Sequence, residues 1–193
     1  MLAHRLHGRL LDVGCGSQPY RVLFEQVSSE IVACDYSPEV KGIDFHCPAD
    51  SIPQASESFH SVVSTEVLEH VPFPDKALAE FWRILRPGGH VLLSVPCYWP
   101  PHELPYDFFR YPLHGIVALA ERAGFRVVEV VPRGGKWALW GQVGAHVLQG
   151  KLPRCLKYGW NRMFLMLDRI NPAPWIALGW TLLLEKNPSK TSG

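Results

Sequence analysis

The run Leu10-Leu11-Asp12-Val13-Gly14-Cys15-Gly16-Ser17, followed one apolar segment later by Ala33-Cys34-Asp35, restricts the fold more than any other part of the chain. A short apolar segment that breaks into a glycine turn predicts a buried strand whose backbone bends sharply at its carboxyl end. A second such strand, closing on an acidic side chain, sets a carboxylate beside that turn when the two strands lie parallel. Gly16 and Asp35 are 19 positions apart (35 − 16), close to the roughly 20 between a glycine turn and a ribose-binding acid. This is the outline of a nucleotide-type pocket. Pro19 stands where a dinucleotide fingerprint has its third glycine, so a pyrophosphate is not the expected ligand. Asp12 adds a negative charge two residues before Gly14, which disfavours phosphate and favours a cation such as an amino or sulfonium group.

Further short apolar runs predict strands near 30–35, 42–46, 61–66, 90–96 and 126–132, after a first at 9–13. Between them, Ala77, Leu78, Phe81, Ile84 and Leu85 share one face of a helix running from about Asp75 to Leu85, with Arg86-Pro87-Gly88-Gly89 as its stop. A second helix runs from about Leu113 to Ala123 and ends at Gly124. Alternation of this kind predicts an α/β fold with a doubly wound, mostly parallel sheet.

Five phrases then fall in a fixed order: LLDVGCG, ACDYSPE, Ala49-Asp50-Ser51, SVVSTEVLEHV and ALAEFWRILRPGGHVLLSVP. Together they resemble the class I S-adenosylmethionine-dependent methyltransferases, and within them the broad small-molecule type 11 group that includes quinone-biosynthesis C-methyltransferases. The resemblance covers roughly Gly8 to Gly135 and resumes near Trp175. It implies a seven-stranded Rossmann-like sheet with an antiparallel last strand, here the segment Ala177 to Leu184, and S-adenosylmethionine as cofactor. It also implies that Asp12, Gly14, Cys15 and Gly16 line the methionine end, that Asp35 holds the ribose hydroxyls and that Tyr36 lies along the adenine. Asp50, with the backbone of Ser51, would meet the adenine amino group, and Glu66 would border cofactor and substrate. Taken singly, Asp12, Asp35 and Asp50 also fit helix or turn capping. Two departures stand out. Phe59 is followed by His60 where the family has an acid, and the first strand begins too soon after Met1 for the helix that usually precedes it.

Candidates for the chemistry follow the fourth and fifth strands, at the edge where α/β folds hold ligands. His102, Glu66 and His70 are the expected catalytic groups. His102 is the preferred base, because imidazole is the side chain that changes charge near neutral pH. His102, Glu103, Tyr106 and Arg110 are the expected substrate contacts, in a proline-rich segment similar to one found in bacterial methyltransferases of cell-envelope or polysaccharide synthesis. The competing reading of that segment has its aromatic residues anchoring the loop and Asp107 with Arg110 forming a structural ion pair. No HxxxH or CxxC spacing occurs among the histidines, cysteines and acids, so no metal is expected.

A chain of 193 residues, 47% hydrophobic, predicts a single domain. Its net charge of +1 gives no field to attract nucleic acid. Five cysteines without CxxC pairs read as buried thiols of a reducing compartment, and no run is long enough to span a bilayer, so a cytoplasmic location is expected. The interval 136–174 before the last strand reads as a helical insertion. A helix over 154–170 would gather Lys151, Arg154, Lys157, Arg162 and Arg169 on one side and Leu156, Trp160, Met163, Leu167 and Ile170 on the other. Such a helix packs on its own domain as a lid, forms a homodimer contact, or lies on an anionic membrane. The expected partner is a small methyl acceptor with an apolar part, of cell-envelope, quinone-like or sugar-linked type. Two other classes remain open on sequence alone: a nicotinamide-dependent oxidoreductase, and a non-catalytic relative that binds a partner or membrane through the insertion.

Overall fold

The computed structural model describes residues 2–147, 154–171, 173 and 176–187. Seven strands, β1 (Arg9–Val13), β2 (Glu30–Asp35), β3 (Phe45–His46), β4 (Phe59–Thr65), β5 (Leu85–Pro96), β6 (Phe125–Arg133) and β7 (Gly179–Lys186), form one sheet. Its order is β3-β2-β1-β4-β5-β7-β6. β1 runs parallel to β2 and β4, and β4 to β5, while β7 inserts antiparallel between β5 and β6. The strand order reverses between β1 and β4, which opens a crevice at their carboxyl ends.

Successive side chains of a strand face opposite sides, so each strand contributes to two cores. On one side Leu11, Val13, Val62 and Leu93 pack under α2 (Pro74–Ile84) and α3 (Leu113–Arg122). The buried face of α2, made of Ala77, Leu78, Phe81 and Ile84, matches the sequence periodicity. Full burial of a leucine, isoleucine or phenylalanine side chain contributes about 1.5–3 kcal/mol. On the other side Leu10, Val63, Leu92 and Leu183 meet Leu2, Leu6 and Phe24, contributed by a short amino-terminal turn (Leu2–Arg5) and by α1 (Arg21–Phe24). That turn packs on the sheet face opposite α2 and α3. His60 also finds a role, since its Nδ1 accepts the Arg9 N–H at 3.1 Å and links β4 to the start of β1.

Three elements differ from the sequence reading. β3 has only two residues, because the Asp44 N–H bonds the Ala33 carbonyl at 3.0 Å while the Asp44 carboxylate accepts the Ala33 N–H at 2.8 Å, which ends the ladder early. β5 starts at Leu85, so Arg86-Pro87-Gly88-Gly89 lies within the strand, with a register shift against Phe59 and Ser61. The insertion holds α4 (Lys136–Val147) and α5 (Arg154–Ile170), and Lys151 lies outside the described residues. In α5, Trp160, Phe164 and Leu167 are half-buried, whereas Met163 and Ile170 are exposed, so the inward face is rotated from the expected one. Asp168 sets that rotation: its carboxylate accepts the N–H groups of Gly135, Trp137 and Ala138 at 2.8–3.0 Å and caps α4 from the neighbouring helix. The Trp160 indole N–H bonds the Gly141 carbonyl at 2.8 Å, and a side chain at Gly141 would collide with Phe164. Among the described residues, no helix is long and apolar enough to cross a membrane.

Candidate active site

At the end of β1 the chain turns through Gly14 and Gly16, at φ of +66° and +50°. The N–H groups of Gly14 and Cys15 both donate to the Cys34 carbonyl at 2.9 and 3.1 Å, tying the turn to the tip of β2. A Cβ on Gly14 would lie 2.4 Å from Val67, so no side chain fits there, whereas Gly16 faces open space. Asp35 completes the rim. One of its oxygens accepts the Gly16 N–H at 2.9 Å and the other the Ser37 N–H at 2.8 Å, so one carboxylate fixes both loops.

Asp12 occupies the same cross-sheet row as Val63, Leu92 and Leu183. Burial in that apolar row, reinforced by the charge of Asp35 and only partly offset by Arg21, pushes its pKa up to about 7. A carboxylate so placed gains most from a permanent cation. Asp12, Cys15, Glu66, Ser94 and Arg133 line a hollow of about 300 Å³. It adjoins a cleft of about 740 Å³ whose walls include Gly14, Asp35, Tyr36, Asp50, Glu66 and Phe73. Burial pushes the Cys15 thiol up to about 12, so it serves as a neutral wall.

These residues fit S-adenosylmethionine. The buried acid would meet its cationic methionine end, Asp35 would offer its remaining lone pairs to a ribose, and the cleft falls within the volume range of ligand sites, about 300–1,000 Å³. Asp50 and Tyr36, the residues expected to meet the adenine, are among the lining residues of that cleft. Ser51 does not line either hollow, and its N–H bonds the Pro48 carbonyl at 3.2 Å in a local turn.

Glu66 borders both hollows at φ +55°. One of its oxygens accepts the Ser94 hydroxyl and the other an Arg133 N–H, each at 2.8 Å, so both are engaged by the protein. Sequence reasoning overlooked Arg133 and Ser94. The available signal was topological: β5 and β6 point the same way, so both residues come to the rim that carries Glu66.

The acceptor side is formed by the turn Leu68–His70 and the loop from Trp99 to Tyr111. The Glu69 carbonyl accepts the N–H groups of Phe108 and Phe109, and the Tyr111 hydroxyl donates to the Leu68 carbonyl at 2.8 Å, which seats the loop on the turn. His70, Glu103 and Tyr106 face the cleft. The His102 ring stacks edge-on against His70, with centroids 4.8 Å apart. Each Nδ1 contacts a main-chain carbonyl, Tyr106 at 2.6 Å for His70 and Pro100 at 3.2 Å for His102. The Arg110 guanidinium also lies 3.4 Å from His102 Nδ1, and His102, the expected base and substrate contact, does not line the cleft that His70 does. Arg110 differs from the expectation. Its guanidinium binds Asp107 through two nitrogens at 2.6 and 2.7 Å and the carbonyls of Trp99, Pro100 and Phe109, so it holds the loop and does not line the cleft. Those bonds hold the Asp107 carboxyl well below the usual range, and Asp107 in turn accepts the His102 N–H.

A sequence profile described as a methyltransferase domain matches residues 1–130. The chain belongs to this methyltransferase family. The methyltransferase domain is 30% identical over 146 residues to a protein of Mycolicibacterium smegmatis named as a probable S-adenosylmethionine-dependent methyltransferase, covering 67% of this chain and 57% of that one. It is 32% identical over 101 residues to a ubiquinone biosynthesis O-methyltransferase of Xanthomonas oryzae, covering 45% and 42%. The chain thus spans about half the length of these relatives. Among solved structures, a phosphoethanolamine N-methyltransferase of Haemonchus contortus bound to S-adenosyl-L-methionine superposes with a TM-score of 0.62 at 17% identity, covering 95% and 49%. The cyclase SpnF superposes at 0.63 with 20% identity, covering 97% and 78%. Both share the fold, and the second shows that the methyltransferase fold carries other chemistry as well.

Proposed function

We propose that this protein transfers a methyl group from S-adenosylmethionine to a hydroxyl group on a small acceptor with an apolar part. The observation that carries the reading is Asp12, a carboxylate buried in an apolar row directly beneath a glycine turn that Asp35 holds open. S-adenosylmethionine, when bound, supplies a sulfonium-activated methyl carbon. The protein's part is orientation and proton handling: Asp12 and Asp35 fix the donor, while His70 stands on the cleft wall beside Glu103 with His102 packed edge-on behind it. The ubiquinone O-methyltransferase relatives support a hydroxylated ring as acceptor. Exposed Phe73 and Tyr106 on the cleft wall, and exposed Trp140, Val143, Met166 and Ile170 on the insertion, support an apolar part and access from a lipid surface.

Cell extract incubated with the enzyme and radiolabelled donor, then split into lipid and aqueous pools, is expected to carry label in the lipid pool. Label confined to the aqueous pool contradicts the apolar acceptor, and no transfer to either pool contradicts the activity.

The acid at the donor site also makes binding pH-dependent. A cation is held by the ionised form of Asp12, so affinity for S-adenosylmethionine is expected to rise between about pH 6 and 8, with a proton released on binding. Stability of the ligand-free protein runs the other way. The native carboxyl keeps its proton up to about 7, while the unfolded one loses it near 3.8, so stability falls as pH rises through that window. Calorimetry in buffers of different ionisation enthalpy measures the proton. A pH-independent affinity would exclude Asp12 as the cation's counter-charge.

A further inference from the structure

We propose that Glu69, His70 and His102 form a site for one divalent cation of the zinc class, placed on the acceptor side of the cleft. Its role rests on the methyl-transfer reading, but its existence does not. Glu69 is 0% exposed, and neither of its carboxylate oxygens has a hydrogen-bond partner. A buried carboxylate in that state costs free energy unless a proton or a cation satisfies it.

The neighbours of Glu69 supply the rest of a coordination shell. Its Oε1 lies 3.9 Å from Nε2 of His70, and one donor atom from each of Glu69, His70 and His102 lies within 4.8 Å of the others. Around a zinc-sized ion with bonds of about 2.0–2.2 Å, ligand atoms sit about 3.4 Å apart, so side-chain shifts of roughly an ångström close the shell. Both histidines are already oriented for it. A ligating imidazole donates its other N–H to a carbonyl or carboxylate, and here the Tyr106 and Pro100 carbonyls lie beside the Nδ1 atoms.

The adjacent arginines do not occupy the place of the cation, because Arg110 is neutralised by Asp107 and Arg133 by Glu66. Two imidazoles with one carboxylate select a borderline metal over magnesium or calcium. Glu103 Oε2, 3.8 Å from His70 Nε2 and on the cleft wall, is in reach as a fourth ligand or as a proton acceptor. The remaining positions open toward the acceptor, where an oxygen bound to the ion loses its proton more readily. The proton passes to Glu103 and water, the oxygen forms the new bond to carbon, and the carbon–sulfur electrons return to the donor's sulfur.

The test uses chelator-stripped protein without methyl donor, titrated with Zn²⁺ by calorimetry and with Co²⁺, a spectroscopic stand-in for zinc, by visible absorption. One ion per chain is expected, with Glu69→Gln and His102→Ala each weakening binding tenfold or more. His7→Ala, in the separate His7, His60 and His90 group, is expected to leave binding unchanged. His102 lies on a partly exposed loop, so its variant remains decisive should Glu69→Gln fail to fold. Absence of saturable binding, or loss with His7→Ala and not with His102→Ala, overturns the proposal. S-adenosylmethionine binding on the same samples separates the two readings: donor binding without ion binding removes only the metal, and ion binding without donor binding removes only the donor assignment.

Discussion

Replacing Asp35 by alanine is expected to lower the affinity for S-adenosylmethionine by about 100-fold or more, roughly 2.7 kcal/mol. The size follows from what the carboxylate does. It takes the Gly16 N–H on one oxygen and the Ser37 N–H on the other, so its removal releases the glycine turn and the loop after β2 together. Hydrogen bonds to a charged group are each worth about 1.5–3 kcal/mol, and the ribose loses its acceptor in the same step. Asp35→Asn keeps one oxygen and no charge, so an intermediate loss is expected. Calorimetric titration of both variants gives the comparison. An Asp35→Ala protein that melts normally and binds the donor as tightly as the parent contradicts the ribose assignment.

The donor half of the site was legible because it is local. Gly14, Gly16 and Asp35 act through the bend of the backbone at the end of one strand and the tip of the next, and spacing along the chain reports both. The acceptor half depends on which strands become neighbours. Glu66 meets Arg133 across 67 positions, a pairing that exists only because β7 brings β6 beside β5 with the same direction. Ser51 lies outside both hollows, and nothing in its identity told that Pro48 would take its N–H. The search for metal spacing missed the Glu69, His70 and His102 group because its ligands come from two loops joined by main-chain bonds to Phe108 and Phe109. The insertion shows the same limit, as its helical period was readable but its rotation is set by Asp168 capping α4.

Arg110→Ala is expected to lower kcat/KM by about 100-fold or more while leaving donor affinity unchanged, because its bonds lie in the acceptor loop and none reach the donor cleft. Removing the guanidinium leaves the Asp107 carboxylate, 4% exposed, without its counter-charge, and frees the carbonyls of Trp99, Pro100 and Phe109. A cost of about 2 kcal/mol, within the range for a stranded desolvated group, falls on the segment from Trp99 to Tyr111. His102 then loses the anchor of its N–H on Asp107, and both histidines drift from the acceptor. Lysine cannot replace the planar fork that spans Asp107 and three carbonyls, so Arg110→Lys is expected to rescue little. Hydrogen exchange separates this account from direct substrate binding. If Arg110 positions the loop, the amides of Phe108, Phe109 and Tyr111 exchange faster in the variant before any acceptor is present. If it instead contacts the acceptor, KM rises and those amides stay as protected as in the parent.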